Sequence, residues 1–166
     1  MGTLVGRLAA AGLTVATAES LTGGLLTAAL ISVPGSSAVV RGGLVVYATD
    51  LKHTLADVPA ALLAKRGAVD PEVAVALADG ARRRCTADIG IGLTGVAGPD
   101  PQDGLPAGTW YVALSGPSGV LRSESTAPVL GSDPIASRQA VRLAAVNAAL
   151  ALLRLAAGEQ TRGRQR

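Results

Sequence analysis

Leu4, Val5, Leu8 and Ala9 recur at helical spacing between Gly2 and Ala11, and Gly12 stops the run, so the chain opens on a short helix. Leu13 to Ala18 then reads as a buried β-type run, which Glu19-Ser20-Leu21-Thr22-Gly23-Gly24 turns into a second helix, Gly23 to Ile31, closed by Pro34-Gly35. Arg41 to Tyr47 is a second strand opened by two glycines, and Ala48 to Leu55 carries Asp50 and Lys52 on a short helix or loop. Pro59 to Lys65 reads as another helix. Asp70 as N-cap with Pro71 at the first helical position starts a helix that runs to about Arg84. Ile89 to Leu93 is a third strand, interrupted by glycines, and it ends in Thr94-Gly95-Val96-Ala97-Gly98-Pro99. After a loop from Asp100 to Pro106, Gly108 to Leu114 and Val120 to Ala127 pair as a hairpin around Gly116-Pro117-Ser118-Gly119, and a last helix spans Asp133 to Leu155. Strands and helices alternate through the first hundred residues. The expectation is therefore an α/β fold: a three-layer α/β/α sandwich with a mixed, partly parallel sheet and a late antiparallel hairpin.

Length and composition narrow this reading. The 166 residues fit one domain, expected over 1–157 with a disordered basic tail at 158–166. Hydrophobic residues make up 49% but Phe is absent, so the core must be built from Ala, Val, Leu and Gly, which suits helices laid closely on a sheet. Cys85 has no partner for an intrachain disulfide and reads as a small hydrophobe in a reducing compartment. No leader pattern is visible, and no apolar run reaches the roughly 18 residues of a membrane span, so a cytoplasmic protein with no membrane partner is expected. The net charge of +3 is concentrated at Arg82, Arg83 and Arg84 and in the tail, without interleaved aromatics, which argues against nucleic acid as partner. The exposed apolar helix faces of an Ala-rich chain suggest a homodimer.

Ligands of open α/β sheets gather where strands end and helices begin, and two segments here fit that description. In the first, Ser20 sits at a strand-to-helix turn, either as a simple N-cap or as a nucleophile. In the second, Thr94 to Pro99 forms either an empty tight turn or a cradle of backbone N–H groups for an anion or oxyanion. That loop lacks the Gly-Lys-Ser/Thr ending of a nucleoside triphosphate site. A serine nucleophile needs a base. His53 and Lys52 are the candidates, the lysine because desolvation lowers its pKa, and Tyr47 stands close enough in sequence to orient the proton. One His and one Cys give no metal-ligand pattern, leaving only a carboxylate set from Asp100, Asp103 and Glu19, so no metal and no cofactor is expected.

Taken together, Ala18-Glu19-Ser20-Leu21-Thr22-Gly23-Gly24, Val33-Pro34-Gly35-Ser36-Ser37, Tyr47 with Lys52, Gly67 to Ala74, and Thr94 to Pro99 with Gly108-Thr109 resemble the C-terminal domain of the CinA family. The resemblance runs in register from about Leu4 to Leu155. It implies a nicotinamide-nucleotide amidohydrolase that converts nicotinamide mononucleotide and water to nicotinate mononucleotide and ammonia, within pyridine nucleotide salvage. It further implies Ser20 as nucleophile, Lys52 as its base and Tyr47 as partner of the dyad. Glu19, Thr22, Gly23, Ser37, Thr94 and Gly95 become substrate-binding candidates, and Arg138 and Arg142, one helical turn apart, become candidates for the phosphate. A catalytically silent, competence-associated nucleotide binder is the alternative. Leu21 stands where the family commonly has Cys, and Asp100-Pro101-Gln102-Asp103-Gly104 replaces a glycine-richer loop. The N-terminal domain of longer family members is absent from these residues, so only the amidohydrolase half is expected.

Overall fold

The computed structural model describes residues 1–125 and 133–163, with side chains through residue 158. Its elements are α1 (Gly2–Ala11), β1 (Val15–Glu19), α2 (Leu25–Ile31), β2 (Val40–Val45), α3 (Thr49–Thr54), α4 (Ala60–Arg66), α5 (Pro71–Arg84), β3 (Ile89–Gly95), β4 (Trp110–Gly116), β5 (Gly119–Ser125) and α6 (Pro134–Gly163). The five strands form one sheet in the order β2-β1-β3-β4-β5. β1 runs parallel to β2 and β3, while β4 pairs antiparallel to β3 and β5 to β4. The mixed sheet and late hairpin thus match the expectation. Thr126 and Ala127, the expected end of the hairpin, lie outside the described residues.

The pleat decides which helix packs on which face, because successive side chains of a strand point to opposite sides. Val15 of β1 and Ile89, Ile91 and Leu93 of β3 join the α1, α2 and α6 core. Ala16 and Ala18 face the other way, toward the α3, α4 and α5 layer. On that second face β3 presents Gly90 and Gly92, and α5 closes onto the bare backbone. A Cβ at Gly90 would stand 1.9 Å from the Ala78 carbonyl oxygen, and one at Gly92 would stand 2.2 Å from that of Ala74. Backbone cannot yield as a flexible side chain can. Gly92→Ala is expected to lower stability by about 3 kcal/mol through this overpacking, read as a lower urea midpoint at unchanged slope. An unchanged midpoint would show that α5 can slide away from the sheet.

The helix ends follow local chemistry. Gly12 takes a left-handed conformation (φ 66°) to close α1, and the Asp70 carboxylate accepts the Glu72 N–H to open α5. Asp133 does the same for α6, accepting from Ile135 N and Ala136 N. Two expectations about α6 are corrected. It continues to Gly163, past Leu155, so the expected disordered tail is helical at least that far. Nothing from Glu159 to Arg162 is a helix breaker, and the single Gly158 costs only about 1 kcal/mol. Its stretch Pro134–Gly158 is also long and apolar enough to cross a membrane, but half of that stretch's most apolar window is buried inside the domain, as in a core helix. A turn of 3₁₀ helix at Ser36–Ala38, unforeseen from the sequence, leads into β2.

Candidate active site

The carboxyl ends of the three parallel strands β1, β2 and β3 lie side by side, and each delivers one part of the site. β1 ends at Glu19, so Ser20 is the first residue of the turn into α2, and its N–H is tied to the Leu93 carbonyl of β3 (3.0 Å). β2 leads into Tyr47 and then α3, where Lys52 points back under the sheet edge. β3 leads into Thr94 to Gly98. Between them is a cavity of about 420 Å³ lined by Ser20, Tyr47, Lys52, Thr94, Gly98 and Arg138 among others. That size falls within the roughly 300–1,000 Å³ usual for small-molecule sites.

Lys52 is 1% exposed, yet no carboxylate among the described residues forms an ion pair with it. Its Nζ lies 3.0 Å from Ser20 Oγ, 3.0 Å from the Val46 carbonyl oxygen and 3.2 Å from that of Tyr47. Burial pulls the amine down to about 8 from its ordinary 10.5, opposed in part by the nearby Asp50 carboxylate. In the neutral form the amine has two N–H groups and one lone pair. The two carbonyls take the N–H groups, and the lone pair is left facing the serine hydroxyl. This is the arrangement a general base for Ser20 requires.

Around the pair, Leu21, Ala97 and Gly98 line the cavity, and their backbone N–H groups make no hydrogen bond among the described residues. They are donors available to an oxyanion. Thr94, fully buried, donates its hydroxyl to the Ala68 carbonyl (2.6 Å) and fixes the cavity wall. Arg138 of α6 reaches across the mouth, donating to the Gly98 carbonyl and to the Tyr47 hydroxyl (3.0 Å). It too has no carboxylate partner among the described residues, so a positive charge borders the cavity.

The sequence-derived candidates divide accordingly. Ser20, Tyr47, Lys52, Thr94, Gly95 and Arg138 meet at the cavity, whereas Glu19, Thr22, Gly23, Ser37 and Arg142 are not among its lining residues. Tyr47 contributes its carbonyl to Lys52, while its side chain is 62% exposed and its phenol holds Arg138. Glu19 is a structural carboxylate. Wholly buried, it accepts from the N–H groups of Gly24, Leu26 and Thr27 and from the hydroxyls of Thr17, Thr22 and Thr27, thereby capping α2 from below. Ser37 belongs to the turn before β2, at the amino end of that strand, roughly 20 Å of strand away from Tyr47. His53 is exposed, with Nδ1 2.8 Å from the Val58 carbonyl oxygen, and takes no part in the cavity. Of the carboxylates considered for a metal, only Asp100 lines the cavity.

The sequence profile of the CinA C-terminal domain matches residues 1–157. The chain belongs to the CinA C-terminal domain family. Among relatives, a CinA-like protein of Frankia casuarinae is 43% identical over 153 residues, covering 92% of this chain and 34% of its own length. One of Anaeromyxobacter sp. is 48% identical over 156 residues, 92% of this chain and 36% of that protein. The chain therefore spans about a third of the length of the curated relatives it matches. Among solved structures, the competence/damage inducible protein CihA of Agrobacterium tumefaciens superposes with a TM-score of 0.82 at 36% identity, covering 95% of this chain and 94% of the other. A CinA superfamily protein of Escherichia coli gives 0.78 at 32% identity, covering 91% and 87%.

Proposed function

We propose that this chain hydrolyses the carboxamide of nicotinamide mononucleotide, giving nicotinate mononucleotide and ammonia. The observation that carries the reading is the buried Lys52 amine 3.0 Å from Ser20 Oγ with its lone pair directed by two carbonyls. Ser20 Oγ bonds to the carboxamide carbon while its proton passes to Lys52 Nζ. The oxyanion is met by free backbone N–H groups such as that of Leu21, a type of contact worth about 3 kcal/mol. The C–N bond then breaks, the proton on Lys52 goes to the leaving nitrogen, and ammonia departs. Water, deprotonated in turn by Lys52, attacks the resulting ester. The bond from the acyl carbon to Ser20 Oγ breaks, and the proton passes from Lys52 to Oγ, which restores the serine and the neutral amine. A phosphate on the substrate finds Arg138 at the cavity mouth, whose charge no side-chain carboxylate among the described residues offsets.

The test is to incubate purified protein with nicotinamide mononucleotide and measure ammonia together with nicotinate mononucleotide. Stoichiometric formation of both supports the reading, and neither at micromolar enzyme would leave a silent nucleotide binder. The pH profile adds a second check. Lys52 acts only when neutral, so kcat/KM is expected to climb about tenfold per pH unit between 6.5 and 7.5 and to level off above about pH 8. A flat profile over that range would remove Lys52 as base.

A further inference from the structure

Arg142 stands one turn of α6 beyond Arg138 and points elsewhere. Its Nε donates to the Leu21 carbonyl (3.0 Å), its Nη2 to the Thr22 carbonyl (2.9 Å) and its Nη1 to Gln139 Oε1 (2.9 Å). All three nitrogens are thus engaged by the protein, and Arg142 is not among the residues that line the cavity. The two carbonyls it forks are consecutive, and they belong to the turn that begins with Ser20. A Cβ at Gly23 would lie 3.6 Å from Nη2, so the guanidinium rests directly against this turn.

We propose that Arg142 is a positioning residue for the Ser20 nucleophile, holding the Leu21-Thr22 carbonyls so that the hydroxyl stays aligned with Lys52. The proposal rests on Ser20 being the nucleophile. Glu19 grips the N–H groups of Gly24, Leu26 and Thr27 and the Thr22 hydroxyl, while Arg142 grips the carbonyls, so the turn is held through both kinds of backbone group. Peptide planarity carries the effect further. Fixing the Leu21 oxygen fixes the Thr22 N–H in the opposite direction, and a cation on a carbonyl makes the amide of that same peptide a stronger donor. Arg suits this task because its planar fork spans two acceptors at once, which a lysine cannot do.

The experiment uses Arg142→Met, which keeps the apolar stem without the fork, beside Arg142→Lys and Arg138→Gln. Two readouts are taken: kcat and KM for nicotinamide mononucleotide, and the rate at which a small uncharged sulfonyl fluoride labels Ser20, followed by intact mass. Arg142→Met is expected to lower both kcat and labelling about 100-fold with KM within about threefold, whereas Arg138→Gln raises KM about tenfold or more. Raised KM with kcat and labelling intact would instead make Arg142 a substrate ligand and overturn the proposal. If Arg142→Met fails to fold, Arg142→Lys decides: labelling about tenfold slower supports the proposal, and labelling at the native rate refutes it. Should the native protein label at Ser20 but leave nicotinamide mononucleotide untouched, the substrate reading fails by itself, and the labelling rates still judge Arg142.

Discussion

Ser20→Ala is expected to lower the rate of nicotinamide mononucleotide deamidation by a factor of about 10³ or more, with the fold retained. In the proposed reaction the hydroxyl oxygen bonds to the carboxamide carbon, and no other nucleophile among the described residues is hydrogen-bonded to Lys52. The other groups hydrogen-bonded to Nζ are the Val46 and Tyr47 carbonyls, which are not nucleophiles. The structural cost is small, because among the described residues Ser20 Oγ is hydrogen-bonded only to Lys52, and that amine keeps both carbonyls when the hydroxyl is gone. Thermal melting within a few degrees of native, combined with lost ammonia release, is the expected pair of observations. Turnover within tenfold of native would mean that another group attacks.

Lys52→Met carries the second large effect, and it moves activity and stability in opposite directions. Without the amine, the Ser20 proton loses its proposed acceptor, and turnover is expected to fall by about 10³-fold or more. Stability is expected to rise. The folded pKa of Lys52, about 8, lies below its unfolded value of 10.5, so the native state resists protonation more than the unfolded chain does. The penalty is complete below pH 8 and fades as the pH rises toward 10.5. Its ceiling is about 3 kcal/mol, from 1.36 kcal/mol per pKa unit, and lost hydrogen bonds to Val46 and Tyr47 reduce it. Lys52→Met should therefore be more stable than native by about 1–3 kcal/mol at pH 7, with the gain shrinking above pH 8. Denaturant titrations at pH 7 and pH 9.5 measure both. A variant less stable than native at pH 7 would show that the buried amine holds the fold together. That result would contradict its reading as a functional group kept at a cost to stability.

How much of this was legible from the residues depends on what kind of group each part uses. The fold was readable, because Leu4 to Leu8, Asp70-Pro71 and Gly12 signal their helices through periodicity and capping, which are local. The convergence of Ser20 with Lys52 rests on strand order, with β2 and β3 on either side of β1, and no pattern within either segment encodes that order. The resemblance to known sequences supplied it. Other parts were hidden because they are backbone. The Val46 and Tyr47 carbonyls that aim Lys52 have no sequence signature, and the Leu21 and Thr22 carbonyls that occupy Arg142 have none either. Arg138 and Arg142 share a helix face because they are four residues apart, yet one reaches the cavity and the other the turn that begins with Ser20, a divergence that spacing alone does not encode. Glu19 differs for a related reason: an acid beside a candidate nucleophile suggests substrate contact, while in the structure it is buried and accepts six hydrogen bonds that cap α2. An acid at a strand end followed by a glycine-initiated helix is the signal that would have pointed to that cap.

The covalent step is tested most directly by adding hydroxylamine to the reaction with nicotinamide mononucleotide and resolving the products by mass, for the native protein and for Ser20→Ala. If Ser20 forms an ester with the nicotinoyl group, the native protein yields nicotinate mononucleotide together with its hydroxamate, in a ratio that follows hydroxylamine concentration, and Ser20→Ala yields neither. Nicotinate mononucleotide formed by Ser20→Ala at the native rate would contradict the account.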